Sequence, residues 1–450
     1  MARPLSFRPG SASSCASSLG TLVGLALWLT VPGRTLGAEA PAPYDVLIKG
    51  GHVIDAKNGI DAVMDVAIAE GKIAAVAADI PAAKAKLLVS ATGLTVAPGL
   101  VDIHAHVFHG PDLDSAYSNG PRALPPDGFT FRSGVTTVVD AGGSGWRNFP
   151  TFKRQVIDVA QTRVLALLNI VGGGMTDGPV EQDLSDMDAR LCALRISEFP
   201  SILVGVKTAH FRGPEWTPVD RAVEAGRMAK VPVMVDFGEF VPERPFRELV
   251  TKHLRPGDIY THLFLAAAPI LDGQGHIAPF MLEARKRGVL FDVGHGGGSF
   301  VFRHAIPALK QGFGPDTIST DLHTSSMNSG MKDLSNVMSK FLAMGMPLKE
   351  VIARTTMHPA RVIGRPELGQ LGPGSVADLS IFALRKGSFG LVDVDGGRLA
   401  ADQKFECELT MRAGKIVWDL NGISKPEWQA QKISPEALEP WPPAAPPKKK

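Results

Sequence analysis

Between Val96 and His323 the chain repeats one pattern: a short apolar run that ends on a polar residue, followed by a stretch of helical character. The opening run, VAPGLVDIHAHVF over Val96–Phe108, is followed by Gly134–Asp140, Arg163–Asn169, Ile202–Lys207, Val231–Asp236, Asp258–His262, Val289–Val293 and Thr317–Asp321, eight in all. Runs that are apolar on both faces are those of buried parallel strands, and helices in the gaps supply the crossovers. Their spacing is about the roughly 30 residues of a βα unit. Strand–helix alternation of this kind allows a parallel barrel or a doubly wound sheet. Eight units, with no glycine-rich nucleotide fingerprint after the first strand, predict an α/β fold of the (β/α)8 TIM-barrel type over residues 96–369.

The flanks read differently. Tyr44–Ile48, with a turn at Gly50-Gly51, and Ala67–Val76, around Glu70-Gly71, are strand-like with no helical period. Ala377–Phe382, Phe405–Met411 and Lys415–Trp418, with a turn at Ala413-Gly414, have the same character. Residues 44–95 and 370–422 are therefore expected to build one small β-sandwich domain from both chain ends. Beyond it, residues 423–450 form a Pro-rich tail expected to be disordered.

Chemistry in such barrels sits where the strands end. The first run delivers His104 and His106, which lie two apart on one strand face and suit a single divalent ion. The fourth delivers Lys207, the fifth Asp236, the sixth His262, the seventh His295, and the eighth Asp321 with His323. Several strand ends carrying metal-ligand types form a joint signal that none carries singly. Lys207 is different, because an ammonium does not bind a cation. Burial and neighbouring positive charge lower a lysine pKa, and a neutral amine can add carbon dioxide to give a carbamate with two ligating oxygens.

With these residues in view the chain resembles the amidohydrolase superfamily of metal-dependent hydrolases. The likeness rests on Pro98–His106 (PGLVDIHAH), Lys207, His262 and Asp321, on the opening VLIKGG of Val46–Gly51 and closing GSVAD of Gly374–Asp378, and on Thr355–Ala360. It covers about Tyr44 to Gly422 and is closest to the deacetylase-type, dihydroorotase-like branch, which Thr317–His323 and Phe291–Phe300 resemble in particular. The resemblance implies one metal on His104, His106 and Asp321, a second on His262, and carboxylated Lys207 bridging both. It implies two divalent ions, zinc with manganese as the alternative, and carbon dioxide to carboxylate Lys207. A hydroxide between the metals would attack a polarised carbonyl, with Asp321 as the catalytic proton carrier. His295, Gly296, Gly297 and His323 are expected to bind substrate.

Two positions depart from the family pattern. The fifth strand usually ends in a histidine that completes the second site, and here it ends in Asp236. A carboxylate still ligates zinc, so Asp236 is assigned to the second metal. Dihydroorotases carry a substrate-holding arginine two residues after the second histidine, and here that position is Phe108. The expected function is hydrolysis of an amide or ester that removes a small acyl group. A cyclic amide hydrolase of dihydroorotase or hydantoinase type is the alternative, and a non-catalytic binding protein on the same barrel is the alternative of another class.

The N-terminus bears on location. Arg3 and Arg8 precede an apolar run from Leu19 to Val31, then Pro32-Gly33 and the small-residue site Ala38-Glu39-Ala40. Residues 1–40 thus read as a signal peptide, and the protein as periplasmic or secreted, with no stable membrane span after cleavage. Lys and Arg number 47 against 45 Asp and Glu, a balance that offers no nucleic-acid footprint. The expected partner is a small-molecule substrate, and the family likeness also implies a homo-oligomer. Of three cysteines, Cys192 and Cys407 would remain in the mature chain, neither near the histidines.

Overall fold

A computed structural model describes residues 42–110, 122–176 and 178–431. Residues 1–41, with the expected signal peptide, and the tail after Gln431 lie outside the described residues. Two sheets organise the rest. The first is built from Tyr44–Asp55 (β1), Ile60–Ala69 (β2), Lys72–Ala77 (β3), Ala85–Ser90 (β4) and Thr95–Pro98 (β5). The second runs through Leu100–Ala105 (β6), Val135–Gly145 (β7), Arg163–Asn169 (β8), Leu203–Thr208 (β9), Val233–Val235 (β10), Ile259–Tyr260 (β11) and Leu290–Phe291 (β12). The chain then returns to the first sheet with Leu379–Val392 (β13), Arg398–Arg412 (β14) and Lys415–Asp419 (β15).

The second sheet is wholly parallel, in the order β12-β11-β10-β9-β8-β7-β6. Its strands are buried on both faces, as their apolar runs predict. Along β8, Val164, Ala166 and Leu168 belong to one core cluster, while Leu165 and Leu167 face another with Val101, Ile103, Val139 and Met234. Helices cover the outside. Asp188 caps Ala189–Glu198 by accepting from the amides of Arg190 and Leu191. Thr217–Ala229 starts with Pro218 in its first turn and turns Val219, Ala222 and Val223 inward.

An eighth strand is expected at Thr317–Asp321 and does not form. That segment touches each edge of the seven-stranded sheet by a single bridge, Thr317 to Asp292 beside β12 and Leu322 to Ala105 of β6. Reaching both edges requires the sheet to curl, but no ladder of strands closes it. The physical reason lies in the segment's own residues. Thr317 and Ser319 donate their hydroxyls to Asp292, Thr320 donates to Asp102, and Asp321 has a positive φ of 52°. Backbone bonds also run to both sides, from Val293 and His295 to the Thr317 and Ser319 carbonyls and between Leu322 and His104, so side-chain hydrogen bonds supplement an interrupted backbone pairing.

The strands of the first sheet are hydrogen-bonded in one continuous order, β15-β14-β13-β5-β1-β2-β3, with β4 also on β1, and its residues share one core. It unites both chain ends. Gly50-Gly51, expected as a turn, lies inside β1 at a register shift. A Cβ on Gly51 would come within 2.5 Å of Val96 Cγ2, so the bulge lets β1 pass β4 and β5 on one edge. The run Val96–Phe108 is also two strands, not one, because the chain leaves the first sheet at Gly99. There a Cβ would meet the Thr136 side chain at 2.3 Å. Cys192 and Cys407 are both buried free thiols. Of the tail, Ser424 is fastened by Asp419, and the described part ends in a short turn at Trp428–Ala430.

Asp378 joins the two sheets. Its carboxylate accepts from Arg163 (2.5 Å) on β8 and from Arg412 (3.3 Å) on β14, and its carbonyl accepts from the Gly99 amide (2.9 Å). Asp378→Ala leaves two part-buried guanidinium groups without their shared anion and should cost about 3–5 kcal/mol, read as a lowered melting temperature. Lys340 gives a second prediction. It is fully buried on the helix Leu334–Ala343, and its Nζ donates to His295 Nε2 (2.7 Å) and to the Gly330 carbonyl (2.6 Å). Burial pushes Lys340 down to about 7 from an ordinary 10.5. The unfolded chain then binds the extra proton above pH 7, so this group makes stability rise with pH between the two values. Relative to Lys340→Met, the wild type should gain about 2 kcal/mol from about pH 7 to about pH 9, and parallel melting curves for the two proteins would refute it.

Candidate metal centre

His104, His106, Asp236, His262, Asp321 and His323 line one cavity of about 920 Å³, and Lys207 lies outside that lining, against His104. His104 ends β6 with His106 just beyond, Lys207 lies on β9, Asp236 follows β10, and His262 follows β11. Asp321 and His323 come from the irregular segment between the sheet edges. Ligating atoms of His104, His262 and Asp321 all lie within 4.8 Å of one another, the set among the described residues that can hold a metal ion. His106 Nε2 is 2.9 Å from Asp321 Oδ1, and His323 Nε2 is 3.6 Å from Oδ2.

The imidazoles are oriented from behind. His104 Nδ1 donates to Thr261 Oγ1 (2.9 Å), which donates to Asp292 (2.8 Å). His262 Nδ1 donates to the Gly294 carbonyl (2.6 Å). Both rings therefore direct Nε2 into the cavity, the arrangement that readies a histidine for a cation. His106 Nδ1 is buried with no hydrogen-bond partner among the described residues. The donor set, two oriented imidazoles and a carboxylate closing on one point, fits a divalent metal.

Lys207 is fully buried and forms no ion pair among the described residues; its Nζ lies 3.3 Å from His104 Nε2 and 3.8 Å from Met234 Sδ. Burial lowers its pKa, against the pull of Asp236 and Asp321. Burial and the Lys207 charge bring His104 down to about 3. Burial raises both Asp236 and Asp321, but their imidazole neighbours prevail and hold each well below the usual carboxylate range: His262 and His210 for Asp236, and His104 with the hydrogen bonds of His106 and His323 for Asp321. The cavity floor thus carries two anions, with a buried amine of lowered pKa beside His104.

Asp236 Oδ2 is 3.2 Å from His262 Nε2 and 3.2 Å from His210 Nε2. His210 was not among the residues expected from sequence. Its only sequence signal is its place three residues after Lys207, two residues beyond the end of β9. Three residues lining the cavity, His210, His262 and Asp321, have positive φ (54°, 65° and 52°) without being glycine. Strain of this kind concentrates at functional sites.

The expected substrate residues divide. Gly297 and His323 line the cavity, as do Gly298 and Ser299. His295 and Gly296 are not in that lining. His295 is fully buried, stacked on Phe300, and held by Lys340 at one nitrogen and the Gly296 carbonyl at the other, so its place is in the core behind the loop. Phe108, at the dihydroorotase arginine position, is buried against Phe152 (4.8 Å between rings) and does not line the cavity. Cationic side chains at the cavity wall are instead Arg122 and Arg212.

Comparison with known proteins agrees with this architecture. Residues 301–417 match the amidohydrolase family. A deacetylase of Agrobacterium fabrum is 33% identical over 348 residues, 75% of this chain and 82% of the relative. A crystal structure of an adenine deaminase superposes with a TM-score of 0.75 at 32% identity, covering 84% of this chain and all of that one. A crystal structure of a dihydroorotase gives a TM-score of 0.73 at 30% identity over 83% of this chain and 99% of that one. The fold, the strand-end donor set and these similarities together make the chain a member of the amidohydrolase family, a hydrolase acting on carbon–nitrogen bonds.

Proposed function

We propose that this protein is an exported, metal-dependent deacetylase that removes a small acyl group from an amide or ester. The observation that carries the reading is the convergence of His104, His262 and Asp321 beside a buried Lys207 that forms no ion pair among the described residues. We read the curled sheet as a (β/α)8 barrel whose eighth place is held by the segment 317–322. His104, His106 and Asp321 would hold one metal, and His262 with Asp236 a second. Neutral Lys207 would add carbon dioxide at Nζ with loss of one proton, and the carbamate oxygens would serve both sites. Zinc or manganese bound there would supply a Lewis acid for the scissile carbonyl and a lower pKa for attacking water.

The chain's own residues do the rest. Asp321, kept ionised, takes the proton from the attacking water and passes it to the leaving nitrogen or oxygen. His323 stands beside that carboxylate at 3.6 Å and lines the cavity. The Gly297–Gly298 backbone borders the cavity where a carbonyl oxygen or other polar substrate group can be bound. A deacetylase relative of Enterococcus faecalis, 32% identical and 99% covered, supports acyl removal. The buried Phe108 argues against dihydroorotate, which needs a cation for its carboxylate. The cyclic-amide reading keeps support from the solved dihydroorotase.

Chelator treatment should abolish turnover, with zinc or manganese plus bicarbonate restoring it. Asp321→Asn should lower kcat by at least about 100-fold in steady-state assays. N-acyl amino acids and O-acyl hydroxy acids should be hydrolysed faster than dihydroorotate or hydantoins, and the reverse order would install the cyclic-amide reading. Export is tested by cell fractionation: a full-length chain confined to the cytoplasm would remove that part.

A further inference from the structure

We propose that His210 is a ligand of the second metal site, supplying from the loop after β9 the imidazole that the end of β10 lacks. The inference rests on the metal-dependent reading above. Its starting point is the grouping around one oxygen atom, Asp236 Oδ2, which stands 3.2 Å from both His210 Nε2 and His262 Nε2. Two imidazoles that approach one carboxylate oxygen through Nε2 offer the nitrogen–oxygen donor set that zinc and manganese take.

His210 is held for this role as His104 and His262 are. Its Nδ1 lies 3.3 Å from Glu181 Oε2, so the carboxylate accepts the Nδ1 proton and Nε2 faces the cavity. Glu181 itself is 1% exposed, and its other oxygen has no hydrogen-bond partner among the described residues. Burying a carboxylate that incompletely is costly, and orienting His210 gives it a purpose. The loop is pinned on both sides of the ring. Gln182 donates to the His210 carbonyl (2.9 Å) and accepts from the Arg212 amide (2.9 Å). Buried Arg244 donates to the carbonyls of Phe211 (2.8 Å) and Phe237 (3.1 Å), and so ties the loop bearing His210 to the one bearing Asp236.

The positive φ of 54° at His210 is the strained feature that points the side chain inward. Among the described residues only His104, His262 and Asp321 already close to within 4.8 Å, so binding draws His210 and His262 together around Asp236.

The test is metal content and affinity, measured by mass spectrometry on the full chain equilibrated with zinc or manganese and bicarbonate. The variants are His210→Asn, which tolerates positive φ, and His210→Gln, whose amide still donates to Asp236 but ligates poorly. Wild type should hold about two ions per chain and both variants about one, with unchanged circular dichroism. Both variants keeping wild-type content and affinity would overturn the proposal. Loss in His210→Asn with retention in His210→Gln would also overturn it, leaving His210 as a residue that positions Asp236. A wild-type chain that takes up no metal would overturn the parent reading as well, which separates the two failures.

Discussion

Two buried carboxylates hold the side of the parallel sheet where no strand forms. Asp292 accepts from Thr261, Thr317 and Ser319, and Asp102 accepts from both the amide and the hydroxyl of Thr320. Between them they fasten the segment 317–322 to β12 on one edge and β6 on the other. These bonds do more than stand in for a ladder. The same Asp292 fixes Thr261, and Thr261 fixes the His104 tautomer, so the closure of the fold and the aim of a candidate ligand share one hydrogen-bond chain.

The cost of this arrangement is electrostatic. Ionised Asp321 and Asp236 and the amine of Lys207 all sit where water is scarce, and isolated buried charges are expensive. Each carboxylate is stabilised by imidazoles, and burial lowers the Lys207 pKa. The donors are thereby assembled with lone pairs and negative charge facing inward, a field that attracts a cation. Arg244, buried against Phe237 (4.4 Å from the ring), keeps the loops on this side of the floor together without adding a side chain to it.

The first sheet contributes by anchoring rather than by chemistry. Asp378 bonds to β8, β14 and Gly99, where the chain crosses between sheets, so the base of β6 is set by a strand pair almost 300 residues away in sequence. His104 and His106 project from the far end of that same strand.

Much of this was legible in the sequence. The apolar runs from Val135 to Phe291 became parallel strands because residues buried on both faces leave no other economical pairing, and His104, Lys207, Asp236, His262 and Asp321 were visible as polar residues closing those runs. Other features depended on partners distant in the chain. Gly51 and Gly99 read as turn and strand residues until Val96 and Thr136 are seen against them. Asp292 and Asp102 draw Thr317–Asp321 out of the strand its sequence favours. His295 looked like a substrate residue until Lys340 and Phe300 enclosed it, and His210 had no strand to announce it until Glu181 and Asp236 flanked its ring. The sequence by itself determined which residues lie at strand ends, because hydrophobic periodicity is local. Only the tertiary structure decided which of them face a common cavity, because that depends on contacts between side chains tens to hundreds of residues apart.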